Sequence, residues 1–326
     1  MTIRTSSLAD NHHNSLDLTI RTSDGTEFPV CRERVAAALP LFATILALPQ
    51  PATHGSNTRP CVDVHESSKV WEQLAPICHF TAAPPLVNPN DIYAILKAAE
   101  KYDLPADMMP SRMRYVLLQP DLLEKEPFRV YFLATAYHLP DVARAAAQRT
   151  LRLPTVYGDN FSALADVPAI AYYRLLDYRK RCSDAAKALT HRVEGALPTW
   201  IANEYTRWQH LAVTCHGSCA LESCTLLVHE RNESSPEIHV RIRSAWLVYL
   251  DALGARLEAH PHATYASSPE LLEAVVSSAL DCHRCAKGIY RTACSFSRIM
   301  EEKIKDAISH VRRVLLTLMT YRLMTE

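Results

Sequence analysis

Ten cysteines and fifteen histidines are the residues of this 326-residue chain best suited to chemistry. Cys215, Cys219 and Cys224 crowd into CHGSCALESC, and Cys282 and Cys285 form a C-x-x-C around His283. Cys215 and Cys219 with Cys282 and Cys285 would supply two thiolate pairs, which suit the tetrahedral preference of zinc. A four-thiolate site leaves no open position for a water, so such a metal would be structural. The opposing reading is packing. The first pair has three intervening residues, thiols three apart on a helix pack side by side, and buried thiols behave as small apolar groups. Cys31 stands at the entrance to a helix with no acid–base partner beside it. A nearby cation would depress its pKa, but Arg32 and Arg34 are read as serving Asp17 or solvent, and packing is the expectation.

The histidines are scattered. His12-His13 lie in a polar start, and His260-Pro261-His262 reads as a solvated loop. Cys294 and His310 stand too far apart on the last helix to face each other. G-x-x-x-x-G-K-[ST], G-x-G-x-x-G, G-x-S-x-G and H-E-x-x-H are all absent from the sequence, so no catalytic residue is assigned and a non-enzymatic protein is expected. The basic run YRKRC at 178–182 reads as the solvated side of an amphipathic helix. Trp200, Tyr205 and Trp208 read as core.

Bulk properties narrow the classes. The chain has 35 basic and 35 acidic residues. That balance argues against a nucleic-acid binder with a broad phosphate footprint. Neither a signal-like apolar core near the start nor a run of about 18 apolar residues appears. A cytoplasmic or nuclear setting, with reduced thiols, is the expectation. Seven glycines against 20 prolines suggest helices punctuated by proline.

The elements that must position these residues begin at Leu16. Leu16, Leu18 and Ile20 alternate with Asp17, Thr19 and Arg21, as a half-buried strand does. Asp24-Gly25 signals a hairpin, and Pro29 confines the return strand to an edge. Val35, Leu39, Phe42, Ile45 and Leu46 have helical spacing. Val62 and Val64 suggest a third strand, and Val70, Trp71, Leu74 and Cys78 form one helical stripe. Asn88-Pro89 starts a helix with a cap and a first-turn proline. A further helix is expected to stop at Pro120.

After that point strand signals fade. FRVYFLATAYHL is apolar almost all round, as a buried helix would be. DVARAAAQRTL starts on an Asp141 cap, and a long helix follows through PAIAYYRLLDYRKRCSDAAKALTHRV. Helices are expected over Pro236–Ala259 and Pro269–Ala286. In the last helix, Ile304, Ile308, Val311, Leu315 and Leu318 make a seam that docks on its own domain or pairs as a coiled coil.

The N-terminal order of strand, Asp-Gly turn, FPV strand, helix ending LPLFATIL, third strand, VWEQLAPIC and ILKAAEKYDL resembles a BTB/POZ domain, of the divergent type abundant in fungi. The resemblance covers about residues 15–120. LATAYHLPDVARAAAQRTL is similar to the start of the helical extension that often follows. Asp17 falls at the family's first-strand aspartate, Arg32 at its basic position after the second strand, and Phe42 at its helix phenylalanine. Gly25 and Phe28 complete the hairpin motif. The chain departs from the family at Cys31, where a histidine is usual, and at Leu39, where a small polar residue is usual.

The resemblance implies an α+β domain, a small sheet buttressed by helices, followed by mostly helical regions. The expected division is a tail at 1–14, the BTB/POZ-like domain at 15–120, its helical extension at 121–195, and a helical region with a Cys-rich connector at 196–326. The implied role is a protein-interaction adaptor or scaffold, associating with itself or another protein. Recruitment of a ubiquitin ligase or a transcription regulator falls within that class. The short polar tail is a poor match to the extra N-terminal helix of the family's swapped homodimers. The alternative is a BTB-assembled protein whose C-terminal zinc site supports nucleic-acid binding.

Overall fold

The computed structural model describes residues 16–48, 59–79, 88–104, 108–154, 167–192, 196–203, 221–227, 237–280 and 282–322. The described elements divide into two compact units, with the cut between Ala146 and Ala147. The expected 121–195 extension is therefore shared between them. The chain is mostly helical, with a small three-stranded sheet near its start.

The first unit contains β1 (Leu18–Arg21), β2 (Glu27–Val30), α1 (Arg32–Ala38), α2 (Pro40–Ala47), β3 (Cys61–Asp63) and α3 (Ser68–His79). It continues with α4 (Pro89–Lys101), α5 (Met108–Leu117), α6 (Pro120–Lys125), α7 (Pro127–Ala136) and the first part of α8 (Pro140–Thr150). The strand order is β2-β1-β3, with β1 antiparallel to β2 and parallel to β3. Leu18 and Ile20 are buried as their alternation requires, but Leu16 precedes the strand and is 41% exposed. Gly25 turns the hairpin at φ +80°, a conformation that costs an L side chain. Pro29 lies on the edge strand, where its missing N–H is harmless. Arg21, at the end of the central strand, pairs with Glu27 at 3.0 Å and Asp63 at 3.3 Å, its register partners on both sides.

The helical spacing from Val35 to Leu46 resolves into two helices. Leu39 is extended at φ −125°, ψ 91°, because the following Pro40 disfavours a helical residue before it. Pro40 then serves as a first-turn residue of α2. The helix expected to stop at Pro120 does end before it, at Leu117, and Pro120 itself opens α6. Asp141 lies inside the first turn of α8, after Pro140, and is not its cap. Asn88 does cap α4, accepting the Asn90 N–H at 2.9 Å. The helix α7 is buried on nearly every side, through Val130 to Ala134.

The ends of α4 and α7 share a device that the sequence repeats as YDLP and YHLP. Asp103 and His138 both sit at φ 55°. Around each, the next N–H reaches back five residues to a carbonyl: Leu104 to Ala99 at 2.9 Å, and Leu139 to Ala134 at 2.7 Å. These are Schellman endings built without glycine.

The second unit begins in the last turn of α8. It contains α9 (Ala169–Ala188), α10 (Thr199–Asn203), β4 (Leu221–Leu227), β5 (Glu237–Arg243), α11 (Ser244–Ala259) and a 3-10 turn (Ala263–Ser267). Three helices follow: α12 (Pro269–Ser277), α13 (His283–Ala286) and α14 (Ile289–Arg322). The antiparallel β4–β5 pair overturns the expectation that strands end before residue 121. Ile238, Val240 and Ile242 alternate with His239, Arg241 and Arg243, so the period is two and the helix waits until Ser244. The expected Pro269–Ala286 helix is interrupted between Ser277 and His283.

The core of this unit forms around α11 and α14. Trp246 and Tyr249 pack on Phe296 with ring centroids 4.9 and 5.8 Å apart. Ile304 is fully buried, and Ile308 and Val311 pack against Leu151, Tyr178 and Cys182. This part of the α14 seam therefore docks within its own unit. The side chains of Leu315 and Leu318 lie outside the described residues. Among the described residues, no helix is long and apolar enough to cross a membrane.

Candidate functional site

The family-like positions converge on the junction of hairpin and helix. Cys31 is the N-cap residue of α1, extended at φ −85°, ψ 120°, and its thiol makes no capping hydrogen bond. A thiol is a weak acceptor, so the first N–H groups of α1 need another partner. Asp17 supplies it from β1's lead-in: the Arg32 N–H donates to its Oδ1 at 2.8 Å. The Arg32 guanidinium points elsewhere and donates to the Leu46 carbonyl at 2.6 Å, near the end of α2. Arg34 donates to the His79 carbonyl at 3.4 Å, at the end of α3. Both cations that neighbour Cys31 in sequence are thus used on helix C-termini, where the macrodipole favours them, and not on its thiol.

Phe42 is fully buried and contacts Trp71 and Tyr102, with centroids at 5.6 and 5.0 Å. These three rings join α2, α3 and α4. Phe28 is half-buried opposite Ile20. Leu39, the other departure from the family pattern, is fully buried at the α1–α2 break.

Sequence reasoning missed a second carboxylate cap. Asp24 was legible only as a turn residue. Its Oδ2 accepts the Ser68 N–H at 2.9 Å and the Ser68 hydroxyl at 2.7 Å, which caps α3. Its Oδ1 accepts from Thr22 Oγ1 at 2.5 Å. Hydrogen bonds from Thr22 and then Ser68 hold the Asp24 carboxyl well below the usual carboxylate range. Glu66 ties the same corner to α4 by accepting from the Tyr102 hydroxyl and, at 2.7 Å, from Lys101 Nζ. Burial opposes the Glu66 charge, yet the Lys101 and Tyr102 hydrogen bonds outweigh it, and its carboxyl lies below its ordinary value. Burial, then Glu66, pushes the Tyr102 hydroxyl up.

The two halves of the cysteine cluster have different standing. Cys215 and Cys219 lie outside the described residues, as do Tyr205 and Trp208, and the side chain of Cys224 in β4 is not described. Cys282 and Cys285 are buried. Cys282 is the residue before α13, at its N-cap position but without a side-chain capping hydrogen bond, so the C-x-x-C starts a helix and does not end one. Among the described residues, no group of three or more His, Cys, Asp or Glu is placed to hold a metal ion. Trp200 is half-buried and stacks on Phe296 at 6.4 Å, as a core residue would. Burial pushes the Cys78 and Cys182 thiols up to about 12, which makes both poor nucleophiles.

Two readings in the second unit are corrected. His260 and His262 do not form a solvated loop: His260 Nδ1 lies 3.3 Å from the Arg152 carbonyl, and His262 caps the 3-10 turn. In YRKRC, Lys180 and Arg181 are exposed, but Arg179 is buried. The Arg179 guanidinium donates to the carbonyls of Thr150, Leu153 (2.7 Å) and Ala259 (3.4 Å). It closes the C-termini of α8 and α11 together, and burial pulls its pKa down to about 10.

A cleft of about 580 Å³ opens where the end of α9 crosses α11. Lys187–Glu258 at 2.8 Å joins α9 to α11 along it, and Arg192–Asp251 at 2.6 Å joins the segment after α9 to α11. In its lining, a Cβ on Gly254 would meet Thr190 Oγ1 at 2.5 Å, so a larger residue there would make the Thr190 side chain shift. Opposite charges already neutralise each other across this cleft. No protein-family model and no curated protein matches the chain.

Proposed function

We propose that the N-terminal unit is a BTB/POZ-type interaction module and that the chain acts as a non-enzymatic adaptor or scaffold. The observation that carries the reading is the order and packing of the first unit. A hairpin leads into the α1–α2 pair, a third strand returns parallel to β1, and α3 and α4 pack behind through Phe42, Trp71 and Tyr102. That is the small, helix-buttressed sheet that the resemblance implies. Asp17, Arg32 and Phe42 each act on its scaffold, which accounts for those residue types at those positions. Partner binding by such a module rests on a few apolar anchors at its surface. Among the described residues of this unit, Leu48 and Tyr115 are the most exposed large apolar side chains, at 58% and 72%.

The test compares full-length baits in affinity capture, with solution mass measured in parallel. Leu48→Asp and Tyr115→Asp in the first unit are set against Val248→Asp and Tyr290→Asp in the second. Loss of captured proteins, or a fall in mass from an oligomer, confined to the first-unit variants is the expected result. Retention of every partner by those variants, with loss in the second-unit variants, would overturn the assignment.

A further inference from the structure

We propose that the cleft between the end of α9 and α11 binds an uncharged disaccharide through its hydroxyl groups. At about 580 Å³ the cleft has the size of a small-molecule site. Its lining is polar: Lys187, His191 and Arg192 come from the end of α9 and the residues after it, and Asp251 and Glu258 from α11. The four residues of the two ion pairs all reach solvent, with side chains 44% (Lys187), 65% (Glu258), 27% (Arg192) and 57% (Asp251) exposed, so a ligand in the cleft can touch them.

Charge selects the ligand class. Lys187 Nζ donates to Glu258 Oε2 at 2.8 Å, and an Arg192 N–H donates to Asp251 Oδ2 at 2.6 Å, so two cations and two carboxylates cancel. An anion would have to draw a cation from its carboxylate, and a polyamine would have to draw a carboxylate from its cation. A hydroxyl has to do neither. Each pair uses one N–H of the cation and one oxygen of the carboxylate. Lys187 keeps further N–H donors, and so do the terminal nitrogens of Arg192, while each carboxylate keeps a second acceptor oxygen. The Arg192 Nε is buried and takes no part. A sugar hydroxyl accepts from the cation and donates to the carboxylate, so it sits across an intact ion pair. Both of its hydrogen bonds are then to charged groups, which are the strong kind. His191 is exposed in the same lining and adds a ring nitrogen that can donate or accept.

Spacing sets the ligand's length. Asp251 and Glu258 are seven residues apart on α11, about two turns and 10.5 Å along the axis. One sugar ring falls short of that span, and two linked rings cover it. Between the two carboxylates, Gly254 and Ala255 bring only one methyl group to the lining, which leaves the space open. The sides are held by the core behind them, since Ala186, Leu253 and Leu257 are fully buried. A site held in place before the ligand arrives loses less on binding. All of these residues belong to the second unit, so the proposal stands apart from the adaptor reading of the first.

The test is saturation-transfer NMR of the full-length chain, titrated with maltose, cellobiose, trehalose and sucrose. Saturable binding of at least one of them is expected. Glucose, which reaches only one ion pair, should bind the unmodified chain several-fold more weakly. Ala255→Leu, at an exposed helix position that suits leucine, should abolish binding by filling the cleft. Asp251→Asn should weaken it about tenfold, the loss of one charge-assisted hydrogen bond. Thermal melting of both variants separates lost binding from lost folding. Absence of binding by all four disaccharides, glucose binding as tightly as they do, or unchanged binding in Ala255→Leu would overturn the proposal. Displacement of the bound sugar by inorganic phosphate or by spermidine would overturn it too, because the cleft would then select a charged ligand.

Discussion

Both units close helix carbonyl ends with cations, Arg32 and Arg34 in the first and Arg179 in the second, but the first also sets carboxylates at helix N-termini. In the first, carboxylates from the hairpin cap helices that follow it: Asp17 caps α1, Asp24 caps α3, and Glu66 fastens α4. In the second, donors from within the helices close carbonyl ends. Arg179 serves α8 and α11, Ser183 Oγ donates to the Leu257 carbonyl at 3.2 Å, and Trp200 Nε1 donates to the Leu189 carbonyl at 2.8 Å. The charge balance of the sequence follows the same division. Met1–Ala146 with Asn160–Val167 has 13 basic and 17 acidic side chains, and the remainder has 22 and 18. A zero net charge for the whole chain therefore hides an acidic half and a basic half. The difference teaches where each unit is vulnerable: the first to protonation of exposed carboxylates, the second to loss of one buried cation.

The largest effect expected is from Phe42→Ala. It removes the ring shared by Trp71 and Tyr102 at the centre of the first unit, a change that costs about 3–5 kcal/mol in a well-packed core. Hydrogen exchange followed by peptide should show the loss in α2, α3 and α4, with α11 and α14 unchanged. Equal loss in α11 would mean that the two cores are not independent.

Next comes Arg179→Met, which keeps the apolar stem and strands the carbonyls of Thr150, Leu153 and Ala259. Losing charged donors to buried acceptors should cost about 3 kcal/mol. Urea titration with exchange readout should place the loss in α9 and α11 and spare the hairpin. A cost under about 1 kcal/mol would show that water satisfies those carbonyls, and the contrast between the units would weaken.

Gly254→Ala sharpens the second unit's side of the comparison. A methyl group there meets Thr190 Oγ1, and overpacking of that kind costs about 1–3 kcal/mol, against a gain of about 1 kcal/mol from the helix preference of alanine. A small net loss is expected. Thr190→Ala in the same chain should reverse it, and a double-mutant cycle measures the coupling. Strictly additive effects would mean that the helices simply move apart.

What was legible follows from how local each signal is. Gly25, Asn88 and the first-turn prolines act on their immediate neighbours, so their types announce a turn, a cap and helix starts. The Leu18–Ile20 alternation and the Val70–Cys78 stripe are periodic and were equally readable. Asp24 looks like any turn aspartate, because its partner Ser68 is 44 residues away. Arg179 looks like any basic helix residue, because the carbonyls that hold it come from α8 and α11. β5 was missed for a different reason. Its alternation abuts an apolar helix without a break, and Pro236 carries the signal of a helix start one residue before the strand. The resemblance singled out Asp17 and Arg32, but not the backbone N–H that joins them.

The smallest effect expected isolates the acidic caps. The Asp24 carboxyl is held well below its ordinary value in the fold by Thr22 and Ser68, whereas an unfolded aspartate titrates near about 3.9. A group depressed in the folded state contributes stability that is fully present above its unfolded value and is lost as pH falls below it. The melting temperature of the full-length chain should therefore drop between about pH 4 and pH 2.5 partly through Asp24. In Asp24→Asn, an amide oxygen can still accept from Ser68 but does not titrate. That variant should start a few degrees lower at pH 6, where a charged acceptor is worth more than a neutral one at a helix N-terminus, and should then fall less steeply. Convergence of the two curves toward pH 2.5 assigns the acid sensitivity of the first unit to its hairpin cap. Parallel curves would show that Asp24 is not titrating in the fold's favour, and the carboxylate side of the contrast would then rest on Asp17 and Glu66.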